Sequence, residues 1–308
     1  MQKIKGYHLA PILALAVFVL SSLAGLISVD GGNPAGAFLS GLIVEIVVFF
    51  LPAVFYLRLR GTDFLPKLRL RFFRPNALVL ILLSSLLLFL ISATFRLTAI
   101  YISGADYTPI ADTGSLNFTS VLYILVLFCA VPAVFEEFIF RGVLLAEYGV
   151  YGAFPAAVLS ALLFSMMHFS FTDFLSCLFS GIVLAAVTYL TRSLFAAMIV
   201  HFINNVFVIF FEGMLWGMIR QPDNVVLFLF LTVSLLLFFL FLFLNTAEYI
   251  VYRYAYTDAE EAAKKRPHPA PARRAQLSAL ISSLISPAFV ACVIYFIVAA
   301  AIAAFRAG

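Results

Sequence analysis

Long apolar runs separated by short polar segments divide the whole chain. A transmembrane helix needs about 17–25 apolar residues, because it rises ~1.5 Å per residue across a hydrocarbon layer of about 30 Å. The three runs between Phe154 and Phe211 are short and closely spaced, which leaves a re-entrant segment open as an alternative there. The pattern predicts an all-α polytopic helical bundle. We place the predicted spans at Leu9–Val29, Ala35–Leu57, Ala77–Leu97, Phe118–Leu145, Phe154–Phe171, Phe174–Leu190, Leu194–Phe211, Val225–Tyr249 and Leu277–Phe305.

The basic residues indicate how these spans are oriented. Cytoplasmic loops carry an excess of Lys and Arg. If the N-terminus lies inside, 15 of the 19 Lys and Arg fall in inner segments, and Arg141 lies within the fourth span. The three assigned to outer segments are Arg96, Arg220 and Arg306. We therefore expect a multi-pass protein of the cell membrane with an inside N-terminus and an uncleaved first span.

One charged, proline-rich stretch interrupts the apolar pattern near the C-terminal end. Such a composition is typical of a flexible linker. The predicted division is a helical bundle of about eight core helices at 1–255, a basic cytosolic linker at 256–276, and one appended transmembrane helix at 277–308.

Composition narrows the class of protein. The 308 residues are 64% hydrophobic and 11% charged, whereas soluble domains average about 45–50% and about 25%. The net charge of +4 comes from basic residues beside apolar runs, so it indicates membrane topology and not nucleic-acid binding. Cys129, Cys177 and Cys292 show no spacing motif, so neither a disulfide framework nor a cysteine metal site is predicted.

Three ionisable residues lie inside the fourth apolar run, Phe128–Leu145. They are Glu136, Glu137 and Arg141, and each costs about 2.5–3.5 kcal/mol to insert into a bilayer. Glu137 and Arg141 are spaced i,i+4 and can pair on one helical face, while Glu136 points about 100° away. A buried ion pair that only fixes helix packing remains an alternative, but the second adjacent acid favours a functional site.

Two of the four histidines also lie within predicted spans. His201 and Asn205 are i,i+4 and share a face of the seventh span. At ~1.5 Å per residue, His201 and Glu136 lie at a similar depth of about 10–14 Å, but His168 comes out near 20 Å. The fifth helix must therefore tilt, start late or break to bring His168 to the same level. Taken singly, each histidine could equally be a hydrogen-bonded packing residue.

Together these side chains favour peptide hydrolysis within the bilayer. A carboxylate and an imidazole can activate a water molecule. An amide or an imidazole N–H can stabilise the oxyanion that forms when water adds to a peptide carbonyl.

These residues form three short motifs, each on a separate predicted span. They are Glu136-Glu137-x-x-x-Arg141, Phe164-x-x-x-His168 and His201-x-x-x-Asn205. In order and character the motifs resemble those of the CPBP family of CAAX-protease and bacteriocin-processing membrane proteins, also called the Abi family, and in particular the type II CAAX prenyl endopeptidases. The resemblance covers roughly Ser120–Phe210, including the turn at Thr191–Phe195.

The resemblance implies an intramembrane endopeptidase whose active site opens to the cytoplasm. Carried over by position, Glu136 is implied to be the base that activates water, and His168 to assist it. His201 and Asn205 are implied to hold the oxyanion. The implied substrate is a membrane-associated peptide or a lipidated protein within the bilayer.

The same resemblance assigns Glu137 and Arg141 a supporting role and raises the question of a metal. Glu136, His168 and His201 could supply three ligands to zinc. The sequence has no H-E-x-x-H motif, and Asn205, which pairs with His201, is a poor zinc ligand. A metal-free mechanism is therefore favoured, and zinc remains an alternative.

Two other functions fit the same residues. The first is an ion- or proton-coupled transporter in which the buried acids and histidines form a relay, which Glu45 could extend. The lack of an internal repeat and the clustering of the acids weigh against it. The second is a non-catalytic bacteriocin-immunity or scaffold protein that keeps the bundle without hydrolysis.

Overall fold

The computed structural model describes residues 6–25, 34–107, 117–221, 224–257 and 271–307. Helices make up almost all of this described part, and it contains no strand. The helices, numbered in chain order, are α1 Gly6–Ala24; α2 Pro34–Glu45, Ile46–Phe50 and Leu51–Arg60; α3 Leu78–Ile91, Ser92–Arg96 and Leu97–Ser103; α4 Phe118–Ile124, Leu125–Ala130, Val131–Glu137, Phe138–Leu144 and Leu145–Tyr148; α5 Ala153–Met167; α6 Phe171–Thr191; α7 Leu194–Ile219; α8 Asn224–Thr257; α9 Arg273–Leu284; and α10 Pro287–Ala307.

Seven helices of the described part are long and apolar enough to cross a membrane, and two apolar helices are shorter. The shorter ones are His8–Ala24 in α1 and Ala153–Met167 in α5. Each of the nine predicted runs coincides with one of these helices. The prediction of an all-α polytopic bundle is confirmed.

The last apolar run forms two helices instead of one. α9 ends at Leu284 and α10 begins at Pro287. Proline has no backbone N–H and disfavours a helical conformation in the preceding residue, so the helix is interrupted at Ser286. The Ser286 hydroxyl then accepts a hydrogen bond from the backbone N–H of Phe289 at 3.4 Å. Residues 258–270 of the predicted linker lie outside the described residues.

Four π-helical segments interrupt α2, α3 and α4. Two of them contain a charged residue: Arg96, which is partly buried, lies in Ser92–Arg96, and Arg141, which is fully buried, lies in Phe138–Leu144. π-helical turns are rare overall, and many of them lie at functional sites. Arg96, which the charge count assigned to an outer segment, lies in the last part of the helix Pro75–Ser103.

Two large apolar cores hold the bundle together. The first joins α1, α2, α4 and α5 with α10, whose Phe289 and Cys292 are almost fully buried in it. The second joins α3, α6, α7 and α8. α4 packs on both α5 and α7, so the charged residues of α4 lie where the two halves of the bundle meet.

Candidate active site

Glu137 is the centre of a fully buried polar cluster. Its Oε1 accepts a hydrogen bond from Arg141 Nη1 at 2.6 Å, and the side chains of both residues are 0% exposed. The same oxygen lies 2.9 Å from His201 Nδ1. The i,i+4 ion pair predicted from the spacing is confirmed, and α7 brings His201 to it.

Arg141 also ties α4 to α5 and α6. Its Nη2 donates to the carbonyl oxygen of Gly181 at 3.4 Å, and its guanidinium carbon lies 4.1 Å from the centroid of the Phe164 ring. Gly181 permits this approach, because a Cβ atom there would come within 3.0 Å of the Ala161 Cα and 3.3 Å of Arg141 Nη2. The guanidinium of Arg141 therefore links α4, α5 and α6.

Phe164 lies between the two imidazoles. Its ring contacts that of His168 at 5.0 Å and that of His201 at 5.8 Å, both edge to face. His168 is the residue at which α5 ends, and its Nδ1 lies 3.0 Å from the Phe164 carbonyl oxygen. α5 is thus a short helix that ends next to His168, and the ring of Phe164 lies close to both imidazoles.

Glu136 approaches His201 from the other ring nitrogen. Its Oε2 lies 3.9 Å from His201 Nε2, and its side chain is 12% exposed. That oxygen is buried and has no hydrogen-bond partner in the part of the chain that the structure describes. Glu45 of α2 is close enough to Glu136 to interact with its charge. One imidazole therefore lies between two acids with different environments: Glu137 is paired with a cation, whereas Glu136 is not.

A cavity of about 300 Å³ opens beside these residues. His168, His201, Asn204 and Asn205 line it. Asn205 Nδ2 lies within 3.5 Å of the Cys129 carbonyl oxygen, a long hydrogen bond that leaves the amide adjustable. All six residues singled out in the sequence therefore belong to one polar region, either by direct contact or by lining the same cavity.

A second charged cluster, which no sequence pattern predicted, lies beside this cavity, where Arg96 and Asp173 line its wall. Arg96 Nε donates to Asp173 Oδ1 at 2.6 Å, and Arg96 Nη1 contacts Glu212 Oε2. Ser92 Oγ donates to the other oxygen of Glu212 at 3.1 Å. The signal that could have revealed Glu212 is its spacing: it follows His201 by 11 residues, or about three helical turns, and so shares its face of α7.

A zinc site is not supported by the arrangement of donors. Within the described ranges, no three or more His, Cys, Asp or Glu residues are grouped so that they could hold a metal ion. Glu136, His168 and His201 therefore do not form such a group in this conformation, and the mechanism proposed below uses no metal.

The same stretch of chain matches a known family. Residues 118–207 match the family model Rce1-like, described as type II CAAX prenyl endopeptidase Rce1-like. This segment is similar to that family. The match covers under a third of the chain, from the start of α4 into α7, and it includes all six residues of the site. No curated protein and no solved structure matches the chain.

Seven apolar helices of the described part are long enough to cross a membrane, so the chain is an integral, multi-pass membrane protein. The segment that matches the peptidase family model runs through the candidate active site.

Proposed function

We propose that this protein is an intramembrane endopeptidase that hydrolyses a peptide bond with a water molecule activated by Glu136. The observation that carries this proposal is the buried arrangement of Glu136, His201 and Glu137, in which one imidazole lies 3.9 Å from the first acid and 2.9 Å from the second. Buried charges without structural partners are costly, and such groups cluster at catalytic sites.

Glu136 is suited to the role of general base. Unlike Glu137, its side chain is partly exposed, at 12%, and its Oε2 has no hydrogen-bond partner among the described residues, so a water molecule that enters the site can donate to it. In the proposed step, the oxygen of that water adds to the peptide carbonyl carbon while its proton passes to Glu136. The C–N bond then breaks, and the proton passes to the leaving amine nitrogen. His168, which lines the cavity, assists by holding the water.

In this proposal, His201 and Asn205 stabilise the oxyanion. Glu137 accepts from the Nδ1–H of His201 and so fixes the orientation of the ring. With Glu136, Glu137 and Arg141 ionised, the cluster has one net negative charge if His201 is neutral and none if it is protonated. Protonation gives Nε2 a hydrogen that it can donate to the developing oxyanion, and the Asn205 amide supplies a second donor.

The arrangement of Glu137 and Arg141 favours a positioning role. Both side chains are 0% exposed, so neither can touch a substrate in this conformation. Their ion pair orients His201 and joins α4 to α6 and α7.

A second cavity supports a lipidated substrate. It has a volume of about 700 Å³, is largely apolar, and lies between α1, α2 and α4. Glu45 and Pro132 line it, and Pro132 precedes Glu136 by four residues on the same face of α4. A lipid chain in this cavity would hold the attached peptide beside Glu136. We further propose, from the distribution of basic residues, that the site is reached from the cytoplasmic side of the cell membrane.

The test uses the purified full chain in phosphatidylcholine liposomes with membrane-anchored peptides, one set prenylated and one not. Mass spectrometry of the products identifies the bond that is cut. We expect cleavage by the wild type, and a rate at least about 100-fold lower for His201→Ala, which removes an oxyanion donor. His8→Ala, which changes a histidine of α1, serves as the control.

Three results would overturn parts of the proposal. Cleavage at the wild-type rate by a folded His201→Ala variant removes this site from the mechanism. Loss of wild-type activity on chelation, with recovery on adding zinc, contradicts the metal-free mechanism. Equal cleavage of both peptide sets contradicts the role of the apolar cavity in lipid recognition.

A further inference from the structure

A basic cavity of about 590 Å³ lies in a different part of the bundle from the candidate active site. One wall is the chain between α2 and α3, beginning with the 3₁₀-helical segment Thr62–Leu68. The other walls are the end of α4, at Ala146 and Gly149, and Tyr189 near the end of α6. None of the six residues of the candidate active site lines this cavity, so a separate role must account for it.

The charged side chains that line the cavity are all basic. They are Lys67, Arg69 and Arg71, and no acidic side chain of the described residues is among the lining groups. The nearby acid of α4, Glu147, is already bound by Arg60 at 2.6 Å and by the Tyr56 hydroxyl at 2.9 Å. The cavity therefore has an unbalanced positive charge.

Among the basic residues of the cavity, Arg69 gives the clearest indication of an anion-binding site. Its guanidinium carbon lies 4.5 Å from the centroid of the Tyr189 ring, and its Nη1 is buried without a hydrogen-bond partner among the described residues. Burial lowers the pKa of Arg69, an effect that Tyr189 only partly offsets. An unpaired buried donor is costly, and a phosphate oxygen would supply the missing acceptor.

Hydrogen bonds hold the basic segment in place before any ligand arrives. The carbonyl of Arg69, a residue in the left-handed conformation at φ 53°, accepts from the backbone N–H of Leu194 at 3.0 Å. Arg71 Nε donates to the Arg192 carbonyl at 2.6 Å, and the Arg71 carbonyl accepts from the Ser193 hydroxyl at 2.5 Å. These contacts fasten the segment to the turn between α6 and α7, so the site is preformed.

The rim of the cavity combines charge with exposed apolar surface. Leu65, Leu70 and Val150 line it and are 45%, 48% and 57% exposed. A free phosphate has no apolar atoms to contact this surface, whereas a phospholipid has a phosphate next to glycerol and acyl carbons. Basic pockets between membrane helices on the cytoplasmic side are suited to anionic headgroups.

We propose that this cavity binds the headgroup phosphate of an anionic phospholipid. Arg69 and Lys67 contact the phosphate, and the leucines contact the start of the acyl chains. The proposal does not depend on the peptidase activity, because it uses other residues and another cavity.

The test reconstitutes the full chain in nanodiscs of phosphatidylcholine with increasing fractions of phosphatidylglycerol. Native mass spectrometry counts the phosphatidylglycerol molecules that stay bound. We expect the double variant Lys67→Gln/Arg69→Gln to bind the retained lipid about 30-fold more weakly than the wild type. Arg58→Gln, which removes an exposed charge of α2 outside the cavity, should bind as the wild type does.

A charge-retaining variant and two soluble phosphates complete the test. Arg69→Lys retains the charge and should recover most of the binding, which a mere folding defect in the glutamine variant would not predict. Inorganic phosphate and glycerol phosphate should bind at least about 10-fold more weakly than the lipid, because they lack the apolar contacts. Equal lipid retention by the double variant and the wild type overturns the proposal. Binding of inorganic phosphate as tight as that of the lipid overturns the assignment to a phospholipid.

Discussion

Replacing Glu137 with glutamine separates a structural from a catalytic carboxylate. Glutamine keeps the shape of the side chain but removes the charge that pairs with Arg141 and His201 at 2.6 Å and 2.9 Å. The guanidinium is 0% exposed, and its Nε has no hydrogen-bond partner among the described residues. The Gly181 carbonyl, the Phe164 ring and the more distant charge of Glu136 would remain to balance it. Removing one member of a buried pair costs about 3–5 kcal/mol, so we expect the free energy of unfolding to fall by about that amount.

The adjacent residue supplies the matched control. Glu136→Gln makes the same chemical change one position earlier, where no Arg or Lys of the described residues pairs with the carboxylate and His201 Nε2 lies 3.9 Å away. Neutralising a desolvated, unpaired carboxylate should change stability by no more than about 1 kcal/mol. The double variant Glu137→Gln/Arg141→Met removes both buried charges and should regain at least half of the lost stability.

The assay is equilibrium unfolding of purified protein in mixed dodecyl maltoside and sodium dodecyl sulfate micelles. Each variant is compared with the wild type by its free energy of unfolding. A loss below about 1 kcal/mol for Glu137→Gln refutes the reasoning. A double variant as unstable as the sum of its two single variants also refutes it, since the charges would then act independently.

Three further predictions follow from other contacts. Asn205→Ala should lower the kcat of peptide cleavage by about 100-fold and leave KM almost unchanged. A change confined to KM contradicts the role of Asn205 as an oxyanion donor. Gly181→Ala should destabilise the protein by about 1–3 kcal/mol, because the new methyl group meets α5, whereas Gly217→Ala, which meets nothing within 4 Å, should be neutral or stabilising in the same unfolding assay. Arg96→Met should lower the free energy of unfolding by about 3–5 kcal/mol, because it leaves Glu212 buried without its cation. Glu212→Gln should lower it by less in the same assay. Equal losses for the two variants would contradict this explanation.

The parts of the fold that depend on local sequence could be predicted. Apolar length alone placed all nine hydrophobic helices, because the bilayer imposes one length on each span. The i,i+4 spacing of Glu137 and Arg141 was enough to predict their pair. The sequence also contains the signal for the break before Pro287, since proline disfavours the helical conformation of the residue before it.

The parts that depend on tertiary structure could not be predicted in the same way. Arg96 binds Asp173 and Glu212, which lie 77 and 116 residues further along the chain, and no local pattern links them. The contact between His201 and Glu137 spans 64 residues. The motifs indicated that these residues belong to one site, but only the packing of α7 on α4 determines which acid His201 binds.

The early end of α5 could not be predicted from the sequence, which places the end of this span at Phe171. The helix stops at Met167, and Phe169 takes a left-handed conformation at φ 49°. Phe164 contacts both imidazoles. Residues with positive φ that are not glycine are uncommon, and nothing in the sequence at this position predicted one.

The most direct test of the central proposal is the initial rate at which Glu136→Gln cleaves a membrane-anchored peptide, measured beside the wild type at equal concentrations of folded protein. A positioned general base contributes about 10²–10⁴-fold to the rate, so we expect a loss of that size with the stability of the protein retained. A folded Glu136→Gln variant that cleaves within twofold of the wild-type rate would contradict a glutamate-activated water as the nucleophile.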